Sequence, residues 1–271
     1  MGTGGKTNKQ RIARTLAARI EICTAARFSG PKFALTLIGN VMNGHSCRYP
    51  SDRVSCEYGF RGSTYDQAMQ AFPDARCDEF LQIIEADELE VGMRVLDVPA
   101  GGGYLRRCRT RQRSAAFPME SRTLDAVVSW AGVHHIEDKS AFLAECSGVL
   151  KPGGVSALSD VAESSETAQF LDGFVGRHNS TGHWGHYVSG ATGHLLDKLG
   201  FAIEAYRIER FHWRFGSLGD VGAFCRDLFE LIQASLDEII GASAEELGID
   251  ILTGGISAIR RSLLKIRARK R

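Results

Sequence analysis

A run of glycines after a short apolar segment is the part of this sequence best suited to holding a ligand. Val95 to Val98 is apolar apart from Asp97, and three glycines follow at 101–103. Glycines form tight turns and let the backbone approach a ligand closely. The residues from Tyr104 onward could start a helix whose N-terminal N–H groups face that ligand. The pattern predicts a strand, a turn and a helix, which together form half of a nucleotide-type cofactor site.

Two groups of histidines are the other candidates for chemistry. His134 and His135 follow a second apolar strand, where a histidine pair could include a general base or only support a loop. A later polar segment contains His183, His186 and Tyr187, which are predicted to face a substrate. Together with His178 its histidines are spaced by five and three residues, which is a poor zinc signature. No metal site is therefore predicted.

Composition limits the class of protein. The chain has 271 residues, of which 44% are hydrophobic and 24% charged, values typical of a folded domain. A formal net charge of +1 provides no overall field for nucleic acid or an anionic membrane. The seven cysteines are scattered without a C-x-x-C pair, and no apolar run approaches the roughly 20 residues that span a bilayer. These features predict a cytoplasmic protein without a membrane span.

Residues 1–57 differ from the rest of the chain. They carry nine Lys or Arg residues against three acidic ones, which gives +6. Apolar residues at helical spacing predict a basic amphipathic helix from about Lys9 to Arg27. The segment is expected to be a partly disordered or helical extension, with a transit-type peptide or an RNA or membrane contact as alternatives. Residues 58–271 are expected to form one domain.

The elements that position these residues follow from periodicity. Tyr65 to Phe72 predicts a helix before Pro73, and Asp74 is a candidate cap for a second helix. Alternating strand and helix patterns predict an α/β fold. The predicted strands are Leu124–Trp130, Val155–Val161, Phe201–Phe215 and Ala258–Ala268, and the predicted helices are Lys139–Leu150, Gly190–Leu199 and Val221–Ile240.

Three blocks resemble, in order, the motifs of class I S-adenosylmethionine-dependent methyltransferases. Asp97 to Gly103 is similar to (D/E)-x-G-x-G-x-G, with Pro99 at the first glycine. Asp125 to Ser129 resembles the family's fourth strand, and Leu150 to Gly154 its L-x-P-G-G turn. The resemblance implies S-adenosylmethionine as cofactor and methyl transfer to a small-molecule acceptor. It also implies a Rossmann-like fold with a reduced, mostly parallel sheet and an antiparallel C-terminal strand.

The resemblance also implies roles for individual residues. Asp97 would bind the ammonium group of the cofactor or a water on it, Phe117 to Met119 would border the adenine, and Trp130 and His134 the methyl-transfer region. A helical insertion at about 219–247 would form a substrate lid. The full set of implied cofactor-binding residues is Asp97, Pro99, Ala100, Gly101, Gly102, Gly103, Phe117, Pro118, Met119 and Trp130.

The chain departs from the family after the glycines. Only 20 residues separate Gly103 from Leu124, too few for the family's second and third strands. No Asp or Glu lies between Asp97 and Glu120 to bind the ribose hydroxyls. We therefore expect a sheet of about five strands with the Asp97 strand at its edge.

Three hypotheses follow from this departure. The first is a working enzyme in which Glu120 or another group replaces the ribose carboxylate. The second is a catalytically impaired protein that acts as a binding or scaffold module. The third and weakest is a basic RNA-contacting protein that uses the predicted N-terminal helix and the arginines of 106–113. The methyl acceptor, its atom and the oligomeric state do not follow from the sequence.

Overall fold

The computed structural model describes residues 21–24, 27–29, 34–36, 64–86, 88–90, 92–99 and 121–271. Several predictions lie outside these residues. They are the helix before residue 21, the cofactor residues Ala100 to Gly103 and Phe117 to Met119, Glu120 and the arginine-rich segment 106–113.

Strands and helices alternate along the described chain. The strands are β1 (Glu21–Thr24), β2 (Arg27–Ser29), β3 (Ala34–Thr36), β4 (Arg94–Asp97), β5 (Leu124–Trp130), β6 (Leu150–Asp160), β7 (Phe201–Phe215), β8 (Ile249–Leu252) and β9 (Ile256–Lys270). The α-helices are α1 (64–71), α2 (Cys77–Ala86), α3 (Lys139–Val149), α4 (Glu166–Phe170), α5 (Gly176–His178), α6 (Gly190–Lys198), α7 (Leu218–Leu228) and α8 (Leu236–Ala242). Two π-helical turns, Leu171–Val175 and Ser243–Leu247, follow α4 and α8, and a 3-10 turn covers Val133–His135.

The main sheet has the strand order β1-β4-β5-β6-β9-β7, with β8 also paired to β9. The first four strands are parallel, and β9 runs antiparallel to β6, β7 and β8. β2 and β3 form a separate antiparallel pair. The predicted fold class is confirmed: this is an α/β, Rossmann-like sheet that is mostly parallel at one side and antiparallel at the other.

The sheet is buried on both faces because successive residues of a strand point in opposite directions. On one face Val95 belongs to a cluster that includes Phe170 and Trp213. On the other face the next residue, Leu96, belongs to a cluster that includes Phe142 of α3. Burying one such side chain contributes about 1.5–3 kcal/mol, and this explains why the central parallel strands are nearly continuous apolar runs.

The prediction of a helix from Lys9 to Arg27 is wrong at Glu21–Thr24, because these residues form β1. β1 pairs in parallel with β4, and Thr24 is opposite Asp97. The Asp97 strand is therefore not an edge of the sheet, and the described sheet has seven strands rather than five. Unpaired N–H and C=O groups along β4 offer a template for another strand, and this long-range pairing outweighs a local helical pattern.

The long helix predicted for Val221–Ile240 is divided into α7 and α8. Ser235 caps α8, with its hydroxyl accepting the N–H of Glu238 and the Glu238 carboxylate accepting the N–H of Ser235. This capping box is a helix start, which the apolar periodicity concealed. Both helices lie between β7 and β8, where the insertion was predicted; a role as a lid stays a prediction. No helix in the described ranges is long and apolar enough to cross a membrane.

Candidate functional site

The carboxyl ends of the parallel strands bring separate parts of the sequence together. Asp97 ends β4 and is 2% exposed, and Asp160 ends β6 and is fully buried. Between them, the chain leaving β5 passes close to the chain leaving β4. A Cβ on Gly132 would lie 3.1 Å from Cγ and 3.2 Å from the carbonyl oxygen of Pro99. A side chain at position 132 would therefore press against Pro99, and glycine lets these two segments lie close together without that strain.

Asp160 holds the loop after β5 in place. Its Oδ2 accepts the backbone N–H groups of Gly132, Val133 and His134 at 2.9, 2.6 and 3.2 Å. Its Oδ1 accepts the N–H of Val161 and lies 2.6 Å from Nδ1 of His134. Burial alone would raise the pKa of Asp160, but these donors hold it below its ordinary value. The carboxylate is therefore ionised and fixes both the loop and the His134 ring.

A second carboxylate organises the segment that carries His183. Asp172 Oδ1 lies 3.0 Å from Nδ1 of His183, accepts the N–H of Gly185 at 3.0 Å and accepts the hydroxyl of Tyr187 at 2.6 Å. Burial first, and the Asp172 carboxylate second, raise the pKa of Tyr187 well above its ordinary value. The phenol is therefore a proton donor to Asp172 rather than an anion.

The side chains held by Asp160 and those held by Asp172 lie next to each other. The ring centroids of His134 and His135 are 4.0 Å apart, and that of His183 lies 5.8 Å from the first and 5.6 Å from the second. The Tyr187 ring stacks at 6.1 Å from His134. His134 is buried and His135 is exposed, so the cluster reaches from the interior to the surface. The structure thus brings together four of the five predicted catalytic and substrate-binding residues.

The fifth, His186, touches the cluster through its backbone. Its N–H donates to the carbonyl oxygen of His134 at 2.7 Å, and its side chain is exposed. Trp130, predicted to contact the cofactor, donates its indole N–H to Glu79 of α2 at 2.6 Å. Its ring also lines a small cavity with Ser159 and Lys265. Contacts of either side chain with substrate or cofactor stay predictions.

Asp160 and Asp172 are the residues of the candidate site that sequence reasoning missed. Asp160 carried a signal, because it ends a buried strand in the way that Asp97 does. Asp172 carried none, since it lies in a π-helical turn 11 residues before His183. Its partnership with His183 is set by how the chain folds back between α5 and α6.

Comparison with known proteins is consistent with this geometry. Residues 96–158 match the model of a family described as Methyltransferase domain. The chain is 28% identical over 91 residues to the ubiquinone biosynthesis O-methyltransferase of Parvibaculum lavamentivorans. That alignment covers 32% of this chain and 35% of the relative, so the chain spans about a third of the relative's length.

Solved structures of methyltransferases are also similar to this chain. A Bacillus halodurans protein assigned as a methyltransferase is 16% identical, with a TM-score of 0.45, over 70% of this chain and 98% of its own. Haemonchus contortus phosphoethanolamine N-methyltransferase 2 is 16% identical, with a TM-score of 0.39, over 71% and 52%. Both TM-scores are low, so the similarity rests on the family match. Residues 96–158 are similar to a methyltransferase domain, and this match, together with the methyltransferase relatives, supports a class I S-adenosylmethionine-dependent methyltransferase.

Proposed function

We propose that this chain transfers a methyl group from S-adenosylmethionine to a small-molecule acceptor. One observation carries the proposal: buried Asp97 and the His134–Asp160 pair lie at the same edge of the sheet, in and directly after the segment that matches a methyltransferase domain. In open α/β sheets, ligands bind at the carboxyl ends of the strands. The acceptor class, a cytoplasmic location and the individual roles below are part of this proposal.

The described residues fit the amino-acid portion of the cofactor. Asp97 supplies a carboxylate at the end of β4, which suits the ammonium group through a charge-assisted hydrogen bond. Because Gly132 lies against Pro99, a ligand over Asp97 is within reach of the loop that carries His134. When bound, the cofactor supplies a methyl group on a cationic sulfur. The glycines at 101–103 and the residues Phe117 to Met119 are proposed to hold its remaining parts.

His134 is the residue proposed to handle the acceptor's proton. With Nδ1–H donated to Asp160, Nε2 carries the lone pair and can accept a proton from a hydroxyl or amine. Asp160 would then stabilise the imidazolium that forms, as a buried carboxylate does beside a catalytic histidine. The proposed role of His135, His183, His186 and Tyr187 is to align the acceptor with the sulfonium group, because methyl transfer depends mainly on positioning.

Binding of S-adenosylhomocysteine tests the proposal directly. We expect the product to raise the melting temperature of the full chain and to bind with micromolar affinity in calorimetry. Asp97→Asn should weaken binding at least about tenfold, because a neutral amide loses the charge-assisted contact. His194→Ala, an exposed change on α6, is the matched control and should bind like the wild type.

The result also separates the two main hypotheses. Circular dichroism at the assay temperature checks that Asp97→Asn is folded, so that lost binding is not lost structure. Failure of the wild-type chain to bind the product at millimolar concentration would overturn the proposal. That outcome would favour a binding or scaffold module that has lost the cofactor.

A further inference from the structure

We propose that His134, His135 and His183 form a binding site for one divalent transition-metal ion, zinc in the first instance. One ring nitrogen from each histidine can be chosen so that all three lie within 4.8 Å of one another. Neutral imidazoles are ligands for zinc, nickel, copper and iron, and three histidines with an open fourth position form a known type of zinc site. This inference goes beyond methyl transfer and does not depend on it. With the ion bound, Nε2 of His134 is a ligand, so the proton-accepting role proposed for it belongs to the metal-free chain.

The carboxylates behind two of the rings are a second, independent observation. Nδ1 of His134 lies 2.6 Å from Asp160, and Nδ1 of His183 lies 3.0 Å from Asp172. A histidine that binds a metal through one nitrogen usually donates the other N–H to a carboxylate, which fixes the tautomer and orients the ring. In this chain the carboxylates hold Nδ1, so Nε2 of His134 and of His183 is the nitrogen assigned to the metal.

The local charge also favours a cation. Three neutral imidazoles bring no charge of their own, and the two carboxylates that support them are negative. Asp160 also accepts four backbone N–H groups, and Asp172 accepts the N–H of Gly185 and the hydroxyl of Tyr187.

Binding needs a small closure of the cluster. Ligand nitrogens around a tetrahedral zinc ion, at about 2.0–2.1 Å from the metal, lie about 3.4 Å apart. The rings must therefore approach one another by up to about 1.4 Å from the 4.8 Å span. His134 and His183 are each held by a carboxylate, whereas His135 is exposed. Rotation of the His135 side chain toward the other two rings, with a small shift of His183 that keeps its contact with Asp172, is the movement that binding requires.

The ligands come from two segments that are 49 positions apart, which explains why sequence spacing did not indicate a site. The alternative suggested by spacing, with His178 and His186, is not formed. The His178 ring packs 4.5 Å from Phe174, and the His186 side chain is exposed outside the cluster.

Zinc titration of the tag-free, chelator-treated chain tests the site. Calorimetry without any cofactor should show one zinc ion bound per chain. His135→Ala and His183→Ala should each weaken binding at least about tenfold, because each removes a ligand. Asp172→Asn should weaken it about 10- to 100-fold, because it removes only the support of a ligand. His194→Ala is the matched histidine control and should leave the affinity unchanged.

Cobalt distinguishes this site from binding by cysteine. A cobalt-loaded chain should show the visible bands of a tetrahedral nitrogen site without a thiolate charge-transfer band. Absence of stoichiometric binding, a thiolate band, or zinc affinity unaltered in both histidine variants would overturn the proposal. Because no cofactor or acceptor is used, such a failure would leave the proposed methyl transfer standing.

Discussion

Asp160 and Glu79 are both almost fully buried carboxylates, but they accept hydrogen bonds from different kinds of donor. Asp160 accepts four backbone N–H groups and pairs with one histidine. Among the described residues, Glu79 accepts from side-chain donors alone: two nitrogens of Arg76, both at 2.6 Å, and the indole N–H groups of Trp130 and Trp213 at 2.6 and 2.5 Å. The first carboxylate shapes a loop, and the second joins α2, β5 and β7.

The surroundings of Glu79 explain its structural role. Arg76 also donates to the hydroxyl of Tyr65, and its guanidinium lies 5.2 Å from the Trp213 ring centroid. Arg261 lies 4.3 Å from the same ring. Its Nε and one Nη have no partner among the described residues, and burial lowers its pKa to about 10. Glu79 is thus the anion paired with buried Arg76, and its charge also acts on Arg261, whereas Asp160 lies beside a histidine cluster that reaches the surface.

Replacing Glu79 should have the largest effect on stability. Glu79→Gln leaves Arg76 buried without its paired anion, and removing one partner of a buried ion pair costs about 3–5 kcal/mol. We expect that loss in the free energy of unfolding, measured by urea denaturation. Zinc affinity of the folded protein should stay unchanged. A loss below about 1 kcal/mol would contradict the role assigned to this pair.

A double variant tests whether the cost is that of an unpaired charge. Arg76→Met added to Glu79→Gln removes the buried guanidinium that lost its anion. Because replacing both partners of a buried pair costs less than breaking it, the double variant should be more stable than Glu79→Gln alone. Additive losses in the two single variants would contradict this explanation.

Asp160→Asn should cost less stability but should disturb the site. The amide keeps an oxygen that can accept part of the backbone N–H groups, so we expect a loss of about 1–3 kcal/mol. Unlike Glu79→Gln, it should lower zinc affinity about 10- to 100-fold, because His134 loses its carboxylate. Calorimetry on both variants at the same temperature makes the comparison. Equal zinc affinity in the two variants would show that Asp160 supports the histidine cluster no more than Glu79 does.

Acid should weaken both carboxylate networks. Burial alone would raise the pKa of Glu79, but Arg76 and the Trp130 indole lower it below its ordinary 4.5, and the pKa of Asp160 is likewise below 3.8. The unfolded chain therefore takes up these protons first as the pH falls. Their stabilising contribution is present above these ordinary values and is lost as the pH falls through the lowered ones.

Urea denaturation between about pH 6 and pH 3 measures this loss. The free energy of unfolding should fall less steeply with acid in Glu79→Gln than in the wild type, because one linked carboxylate is gone. Asp197→Ala, which removes an exposed partner of Arg271, is the control and should keep the wild-type slope. Parallel curves for Glu79→Gln and the wild type would show that Glu79 is not linked to acid unfolding.

The sequence predicted individual strands with strong local signals better than it predicted the contacts between distant parts of the chain. Phe201–Phe215 was predicted with its observed bounds, because alternation and flanking glycines are local signals. β1 was missed because its pairing with β4 joins residues about 70 positions apart. Glu79 was missed for the same reason: its partner Trp213 is 134 positions away, and nothing in α2 indicates that contact.

The candidate site shows the same difference between local sequence signals and long-range contacts. The His134–His135 pair was recognisable because it follows a strand that resembles a family motif. Its meeting with His183 depends on the return of the chain after β6, for which the sequence carries no local signal. Asp172 can be recognised only in the folded chain, where its Oδ1 contacts His183 Nδ1, the Gly185 N–H and the Tyr187 hydroxyl.

Tyr187→Phe should have the smallest effect and tests whether Asp172 resembles Asp160 or Glu79. The change removes one hydroxyl donor to a half-buried carboxylate that keeps His183 and the Gly185 N–H, so we expect a loss of about 0.5–1.5 kcal/mol. If Asp172 mainly orients His183, zinc affinity should change less than in Asp172→Asn, because the histidine contact is retained. A loss of zinc binding as large as that of His183→Ala would instead place the Tyr187 hydroxyl in the metal site itself.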